Sequence, residues 1–118
     1  MGGMKSKRKG ASYEREVASE LRQYGYDTRR TAQYCGNTGD ASDVVGLPSL
    51  HIECKRYANR GFDYDWLSQA VRDSKPDEIP VVIHRTDNNK SVITLYLGDF
   101  MQIYKEYEAS VDLASRNV

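Results

Sequence analysis

The stretch "DVVGLPSLHIECKRY" (residues 43–57) decides how the fold of this chain is interpreted. Its second half alternates apolar with polar residues, as a β-strand does when its two faces meet different surroundings. The predicted apolar face holds Leu50, Ile52 and Cys54, and the predicted polar face holds Ser49, His51, Glu53 and Lys55. The apolar face is suited to packing on a helix, whereas the polar face must be hydrated, paired or functional.

A shorter strand precedes this one, with Asp43 at its start. About three residues separate the two predicted strands, near 43–46 and 50–56, so they are expected to form an antiparallel hairpin. Asp43 then lies beside Glu53 and Lys55. Two neighbouring carboxylates repel each other unless a cation lies between them, and hard divalent ions such as Mg²⁺ take oxygen ligands. A lysine two residues from a metal-binding glutamate can position a water and balance phosphoester charge.

The spacing D-x₉-E-x-K therefore predicts a metal-dependent phosphodiesterase site. The alternative is a charged, solvated strand face, which many proteins have. Asp40 competes with Asp43 for the metal role, but "NTGDAS" is typical of a loop, whereas "DVV" begins a strand. His51 falls on the same predicted face as Glu53, either as a neighbour of the metal or as a polar strand residue.

The flanking segments predict helices and further strands. Residues 1–9 are expected to form a flexible basic arm, and a helix over about 11–25 is predicted to end at Gly25. Its apolar stripe consists of Tyr13, Val17, Leu21 and Tyr24. "YDTRRTA" predicts a short strand, and "QYCGNTGDAS" a loop.

The second half of the chain predicts helix, strand, strand, helix. Asp63 is expected to cap a helix with Phe62, Trp66, Leu67, Ala70 and Val71 on one side. "PVVIH" and "SVITLYL" predict strands, and Asp99 is expected to cap a last helix carrying Phe100, Ile103, Tyr104 and Tyr107. We expect Tyr13, Tyr24, Tyr104 and Tyr107 to lie in the core, and a weakly structured tail after about residue 110. The predicted fold class is α/β, with a mixed five-stranded sheet flanked by helices; it is partly parallel, because a helix separates the third and fourth strands.

Composition is typical of one globular domain. The 118 residues are 39% hydrophobic and 29% charged, which argues against wholesale disorder. Cys35 and Cys54 form neither a disulfide framework nor a zinc quartet, and Cys54 is expected in the core. No apolar run approaches the roughly 20 residues of a membrane span, so we expect no membrane association and a cytoplasmic location.

Charge is unevenly distributed in this formally neutral chain. Residues 1–30 hold eight Lys/Arg against four acids. The basic arm contains Lys5, Lys7, Arg8 and Lys9. Such an arm can neutralise nucleic-acid phosphates, and the alternative is a solvated terminus.

Several of these residues recur, in order, in a known family. Lys9-Gly10-Ala11, Glu14-Arg15, Arg30, Asp43 and Glu53-Cys54-Lys55 resemble the archaeal Holliday junction resolvases of the PD-(D/E)XK nuclease superfamily, which have phage and viral relatives. The resemblance covers roughly residues 7–98. It departs from the family at Ser42, where a proline is usual, in the longer loop 34–42, and in the neutral overall charge. The family's fold is a restriction-endonuclease-like core, consistent with the predicted sheet.

The resemblance implies a Mg²⁺-dependent dimer that cuts four-way DNA junctions, with Mn²⁺ as a substitute ion. It implies metal roles for Glu14, Asp43 and Glu53, with the Cys54 backbone carbonyl as a further ligand, and a catalytic role for Lys55. Arg15 and Arg30 would lie near DNA phosphates. Gln69 matches a glutamine that many such nucleases place beside the site, or else lies on a helix surface.

Three alternatives stay open at this point. The chain is a junction resolvase, a nuclease for ordinary duplex or flap DNA, or an inactive DNA-binding module. The intact Asp43, Glu53 and Lys55 argue against the inactive module. The apolar surface for a dimer would come from the second helix, around Trp66, or from the last strand and helix.

Overall fold

The centre of the fold is a five-stranded mixed sheet with one helix packed on each face. The computed structural model describes residues 2–31 and 42–116, and the side chains of the first helix from Gly10 onwards. In chain order the elements are α1 Gly2–Arg22, β1 Arg29–Arg30, β2 Val44–Val45, β3 Leu50–Tyr57, α2 Tyr64–Asp73, β4 Ile79–Thr86, β5 Val92–Thr94 and α3 Leu97–Arg116.

The strands lie in the order β1-β2-β3-β4-β5. β2 and β3 form the predicted antiparallel hairpin, with Val44 opposite Ile52. β3 and β4 are parallel along eight residue pairs, because α2 carries the chain back between them. β1 and β5 pair antiparallel at the two edges. The sequence prediction of a partly parallel five-stranded sheet is confirmed.

The two faces of the sheet meet different helices. The α1 face buries Tyr13, Val17, Ala18, Val44, Ile52, Cys54, Val81 and Ile83. The α2 face buries Trp66, Leu67, Ala70 and Val82. β3 is therefore covered on both faces, and the polar side of its alternation lies under α2, not in open solvent. Cys54 lies in the core, as predicted.

Two local features hold these elements in place. Asp63 caps α2, since its side chain accepts a hydrogen bond from the Asp65 amide, as the sequence predicts. Gly46 follows β2 with φ of 105°, and a Cβ atom there would collide with the backbone carbonyl of Asp27. Only glycine lets the hairpin approach the segment before β1 so closely.

The limits of the terminal helices differ from the prediction. α1 begins at Gly2, where a flexible arm was expected, because residues 4–9 are good helix formers that extend an anchored helix. It ends at Arg22, before Gly25. α3 begins at Leu97, so Asp99 lies in its first turn and does not cap it, and the helix continues to Arg116 through the expected weak tail.

Burial also corrects part of the predicted core. Tyr13 is buried, but Tyr24, Tyr104 and Tyr107 are exposed, and so is Val71. Tyr24 lies beyond the end of α1, and the two tyrosines of α3 belong to a helix without any buried residue. A helical stripe predicts one apolar face, but it does not determine whether the same chain covers that face.

The molecule is elongated. Its extents are 60 × 33 × 27 Å, and its radius of gyration is 15.9 Å. A compact chain of this length has a radius of about 13.5 Å. Among the described helices, none has the length and apolar character needed to cross a membrane.

Candidate active site

Asp43 and Glu53 lie side by side where β2 meets β3. The Val44–Ile52 pairing places them next to each other across the hairpin. The Cys54 amide donates a hydrogen bond of 2.8 Å to Asp43 Oδ2. The Asp43 side chain therefore accepts the bond that a backbone carbonyl would accept if β2 were longer. Burial raises the pKa of Asp43 to about 8, and the charges of Glu53 and Glu14 act in the same direction. The negative charges of these carboxylates are therefore not fully balanced by positive groups nearby.

Glu14 joins this cluster from α1. It is buried, and Arg30 Nε donates a hydrogen bond of 2.7 Å to its Oε1. Burial raises the pKa of Glu14, Arg30 opposes that shift, and the nearby charge of Glu53 adds to it. Glu14 thus lies near enough to Asp43 and Glu53 for the charges of these three predicted acids to act on one another. Arg30, predicted to lie near DNA phosphates, here neutralises Glu14.

His51 links Glu53 to the start of the hairpin. It is completely buried, with Nε2 2.8 Å from Glu53 Oε1 and Nδ1 2.9 Å from Ser42 Oγ. With Glu53 ionised, Nε2 donates, since a carboxylate only accepts hydrogen bonds. Burial acts to lower the pKa of His51, but the hydrogen bond and charge of Glu53, together with the charges of Glu78 and Asp73, outweigh it and raise the pKa. His51 therefore restrains the Glu53 carboxylate. Strand alternation predicted that the two residues share a face, but it did not predict this hydrogen bond.

Lys55 lies two residues further along the same face and is held by α2. Its Nζ donates a hydrogen bond of 3.3 Å to Gln69 Oε1. Both side chains are half-buried. Gln69 therefore lies on the side of α2 that faces β3, and its role beside the site stays a prediction. A half-buried lysine next to an acidic cluster is well placed to contact an anionic substrate.

The metal-binding atoms that lie closest together only partly match the prediction. Within the described ranges 2–31 and 42–116, one set of three brings its ligand atoms within 4.8 Å of one another: His51, Glu53 and Asp73. It shares Glu53 with the predicted set. Asp73, at the end of α2, was missed, because its approach to β3 depends on how the helix crosses the sheet.

The residues present are suited to a divalent cation. Asp43 and Glu53 supply carboxylate oxygens, the ligands that Mg²⁺ and Mn²⁺ prefer. A cation between them would relieve the repulsion that helps to raise the pKa of Asp43. Asp43 and Glu53 stay the predicted ligands of the ion, and the close set His51, Glu53 and Asp73 shares Glu53 with them. The Cys54 carbonyl remains a predicted ligand.

Other predicted residues are less well placed or lie outside the described part. Arg15 is exposed on α1. The side chains of Lys5, Lys7, Arg8 and Lys9, and the whole of Cys35 and Asp40, lie outside the described residues. The sequence analysis missed a second link from α1: Glu16 accepts two hydrogen bonds of 2.8 Å from Arg85 on β4. Residues separated by 69 positions carry no local signal of such a pair.

Comparison with known proteins adds one finding. The model of the family described as "Phage putative PDDEXK endonuclease" matches residues 5–117. No curated protein and no solved structure matches the chain. The matched region contains Glu14, Asp43, Glu53 and Lys55.

Proposed function

Since the chain belongs to the phage PDDEXK endonuclease family, we propose that it is a divalent-metal-dependent endodeoxyribonuclease. The observation that carries the proposal is the adjacent pair Asp43 and Glu53, with Lys55 two residues further along the same strand face. The two carboxylates can bind a hard divalent cation, and Lys55 supplies a positively charged side chain beside them. That combination is suited to the hydrolysis of a phosphodiester bond.

Each side chain then has a distinct task. Asp43 and Glu53 would hold the ion, Mg²⁺ or Mn²⁺, and the ion would act there as a Lewis acid that activates water and offsets phosphate charge. His51 keeps Glu53 in one orientation through its 2.8 Å contact. Lys55, oriented by Gln69, contacts the scissile phosphate or the attacking water. Glu14 completes the acidic cluster, and Arg30 limits its charge.

The DNA partner would be bound mainly through its backbone. Arg15 is exposed and available to phosphates, and the basic residues Lys5, Lys7, Arg8 and Lys9 precede it on the same helix. Backbone contacts provide affinity without base readout. We place the enzyme in the cytoplasm of a host cell, where a phage nuclease would meet DNA.

For the shape of the DNA, we propose a four-way junction cut by paired nicks. The ordered residues from Lys9 to Lys55 support this choice by their resemblance to junction resolvases. Paired nicks need two active sites related by a twofold axis, so the active form would be a homodimer. The neutral overall charge favours the second candidate, a nuclease for ordinary duplex or flap DNA, because it departs from the strongly basic resolvases.

One experiment separates these possibilities. Purified protein with Mg²⁺ is offered a four-way junction, a linear duplex, a flap and a single strand. Symmetric nicks in the junction alone support the resolvase, and cutting of every duplex supports the general nuclease. No cleavage with Mg²⁺ or Mn²⁺ would refute the enzyme.

Two substitutions test the site itself. Glu53→Gln and Lys55→Ala are expected to abolish cleavage while DNA binding, measured by fluorescence anisotropy, stays close to normal. The matched controls Glu108→Gln and Lys105→Ala lie on exposed α3 and should cut normally. Equal activity of the site variants and the controls would contradict the assignment.

A further inference from the structure

The last helix carries an apolar seam that the described part of the chain (residues 2–31 and 42–116) leaves open. α3 spans 20 residues, about 30 Å, and no residue of it is buried. Apolar residues recur along it at alternating intervals of three and four: Leu97, Phe100, Tyr104, Tyr107, Val111 and Ala114. This 3.5-residue repeat is the one by which helices pair in coiled coils. We call these six residues the α3 seam.

The α3 seam faces away from the rest of the described fold. Where α3 passes Ile79 of β4, the residues lining the cleft between them are Gln102, Ile103, Lys105 and Glu106. At 100° per residue, the centre of this group lies on the side of the helix opposite the seam. The cleft with β4 therefore lies behind α3, and the seam residues are exposed among the described residues.

We propose that the α3 seam is the surface on which a second copy of this chain docks, with the two helices antiparallel. A twofold antiparallel arrangement places Leu97 opposite Ala114 and Phe100 opposite Val111. Tyr104 then meets Tyr107 in the two central layers. Each of the six seam residues then faces another seam residue of the second copy, so the same surface serves on both chains, as an isologous interface requires.

The sizes of the side chains favour this orientation. Each antiparallel layer joins a larger with a smaller residue or two equal tyrosines, which fills successive layers evenly. A parallel pair would place Phe100 against Phe100 and Ala114 against Ala114, leaving one layer crowded and another empty. The aromatic character also fits, because tyrosine and phenylalanine are enriched at interfaces.

The area available is sufficient for a dimer. The five larger seam residues are exposed as follows: Leu97 76%, Phe100 44%, Tyr104 42%, Tyr107 63% and Val111 48%. With full surfaces on the order of 150–250 Å² each, they expose about 550 Å² per copy. Two copies would bury roughly 1,100 Å², which reaches the ~1,000 Å² of a specific interface. Met101, at the border of the seam, would add to it.

The structure also removes the competing surface. Trp66 on α2, the other apolar residue considered for self-association, is only 7% exposed. It is stacked on Tyr57 with ring centroids 5.3 Å apart and touches Phe62 edge-on. The inference does not rest on the proposed nuclease activity, because association can be measured without DNA or metal.

The test is the mass of the protein in solution, measured by sedimentation equilibrium with EDTA. The native chain is expected at twice its monomer mass of 13.4 kDa with a dissociation constant of roughly 1–10 μM, as its modest area suggests. Tyr104→Glu with Val111→Glu should weaken association at least 100-fold, because two charges enter an apolar contact. Leu113→Glu is the matched control, since Leu113 is an apolar residue on the opposite side of α3 and is more exposed than either substituted residue.

A charge exchange tests the orientation. Tyr104→Glu and Tyr107→Lys should each weaken the dimer, and their combination should restore it, because each glutamate then meets a lysine of the other copy. In a parallel pair the combination would bring like charges together and weaken association further, which would overturn the antiparallel arrangement. A native chain that stays monomeric at roughly 100 μM, or a Leu113→Glu variant as monomeric as the seam variant, would overturn the proposal. Circular dichroism of every variant confirms that these exposed changes leave the fold intact.

Discussion

Replacing Asp43 by asparagine should stabilise the metal-free protein, although it removes a predicted metal ligand. Asparagine is nearly isosteric, and its carbonyl can still accept the 2.8 Å hydrogen bond from the Cys54 amide. Its NH₂ group can donate to Glu53, so the substitution removes charge without leaving a buried group unsatisfied. What it eliminates is the repulsion between two neighbouring carboxylates.

The magnitude follows from proton linkage. The pKa of Asp43 rises from 3.8 in an unfolded chain to about 8 in the folded protein, mainly through burial. The folded state therefore binds this proton more tightly, and the contribution of Asp43 to stability is lost as the pH rises from about 4 to about 8. At about 1.4 kcal/mol per pH unit, the loss at pH 7 is at most about 4 kcal/mol. We expect about 2–4 kcal/mol, because Glu53 can accept part of the same proton.

The assay is urea unfolding of the native protein and Asp43→Asn in EDTA, at pH 4.5 and at pH 7.5. The variant should be more stable by about 2–4 kcal/mol at pH 7.5 and by less than about 1 kcal/mol at pH 4.5. Saturating Mg²⁺ should then narrow or reverse the difference, since only the native site binds it well. A variant that is less stable at pH 7.5, or a difference independent of pH, would refute the reasoning.

Three further predictions concern the site and its frame. His51→Leu should lower cleavage about 10–100-fold by releasing the Glu53 carboxylate, and His51→Gln, which keeps a donor, should lower it less. Equal losses of cleavage rate for the two variants in a Mg²⁺ titration would argue against the positioning role. Gly46→Ala should destabilise the fold by about 3 kcal/mol or more in urea unfolding, because its Cβ meets the Asp27 backbone; an unchanged midpoint would contradict that close approach. Tyr13→Phe should cost about 1 kcal/mol by removing the 2.7 Å hydrogen bond to Ser91, and a stability equal to the native protein in thermal melts would show that this bond contributes nothing.

Local pattern predicted the parts of this protein that depend on short-range geometry. The period-2 alternation of residues 49–55 identified β3 and assigned His51 and Glu53 to one face. The short connection "GLPS" predicted the hairpin that brings Asp43 beside Glu53. Both succeed because strand alternation and hairpin closure act over a few residues.

Other features failed because they depend on what lies across space. The stripe Phe100, Ile103, Tyr104 and Tyr107 predicted an apolar helix face, but nothing local indicates that the described fold leaves it open. Residues 2–9, where a flexible arm was expected, belong to one continuous helix, Gly2–Arg22. The periodicity of apolar residues indicates that a helix is amphipathic, but it does not indicate which surface covers its apolar face.

The sequence by itself determined the strand order along the chain, the hairpin and the residues able to bind a divalent ion, since each follows from periodicity, turn chemistry and side-chain type. Only the tertiary structure decided how those residues are combined. It paired Arg30 with Glu14, joined Gln69 to Lys55 and brought Asp73 of α2 close to Glu53. These contacts depend on how helices cross a twisted sheet, and that arrangement is set by packing over the whole core, which no short stretch of sequence encodes.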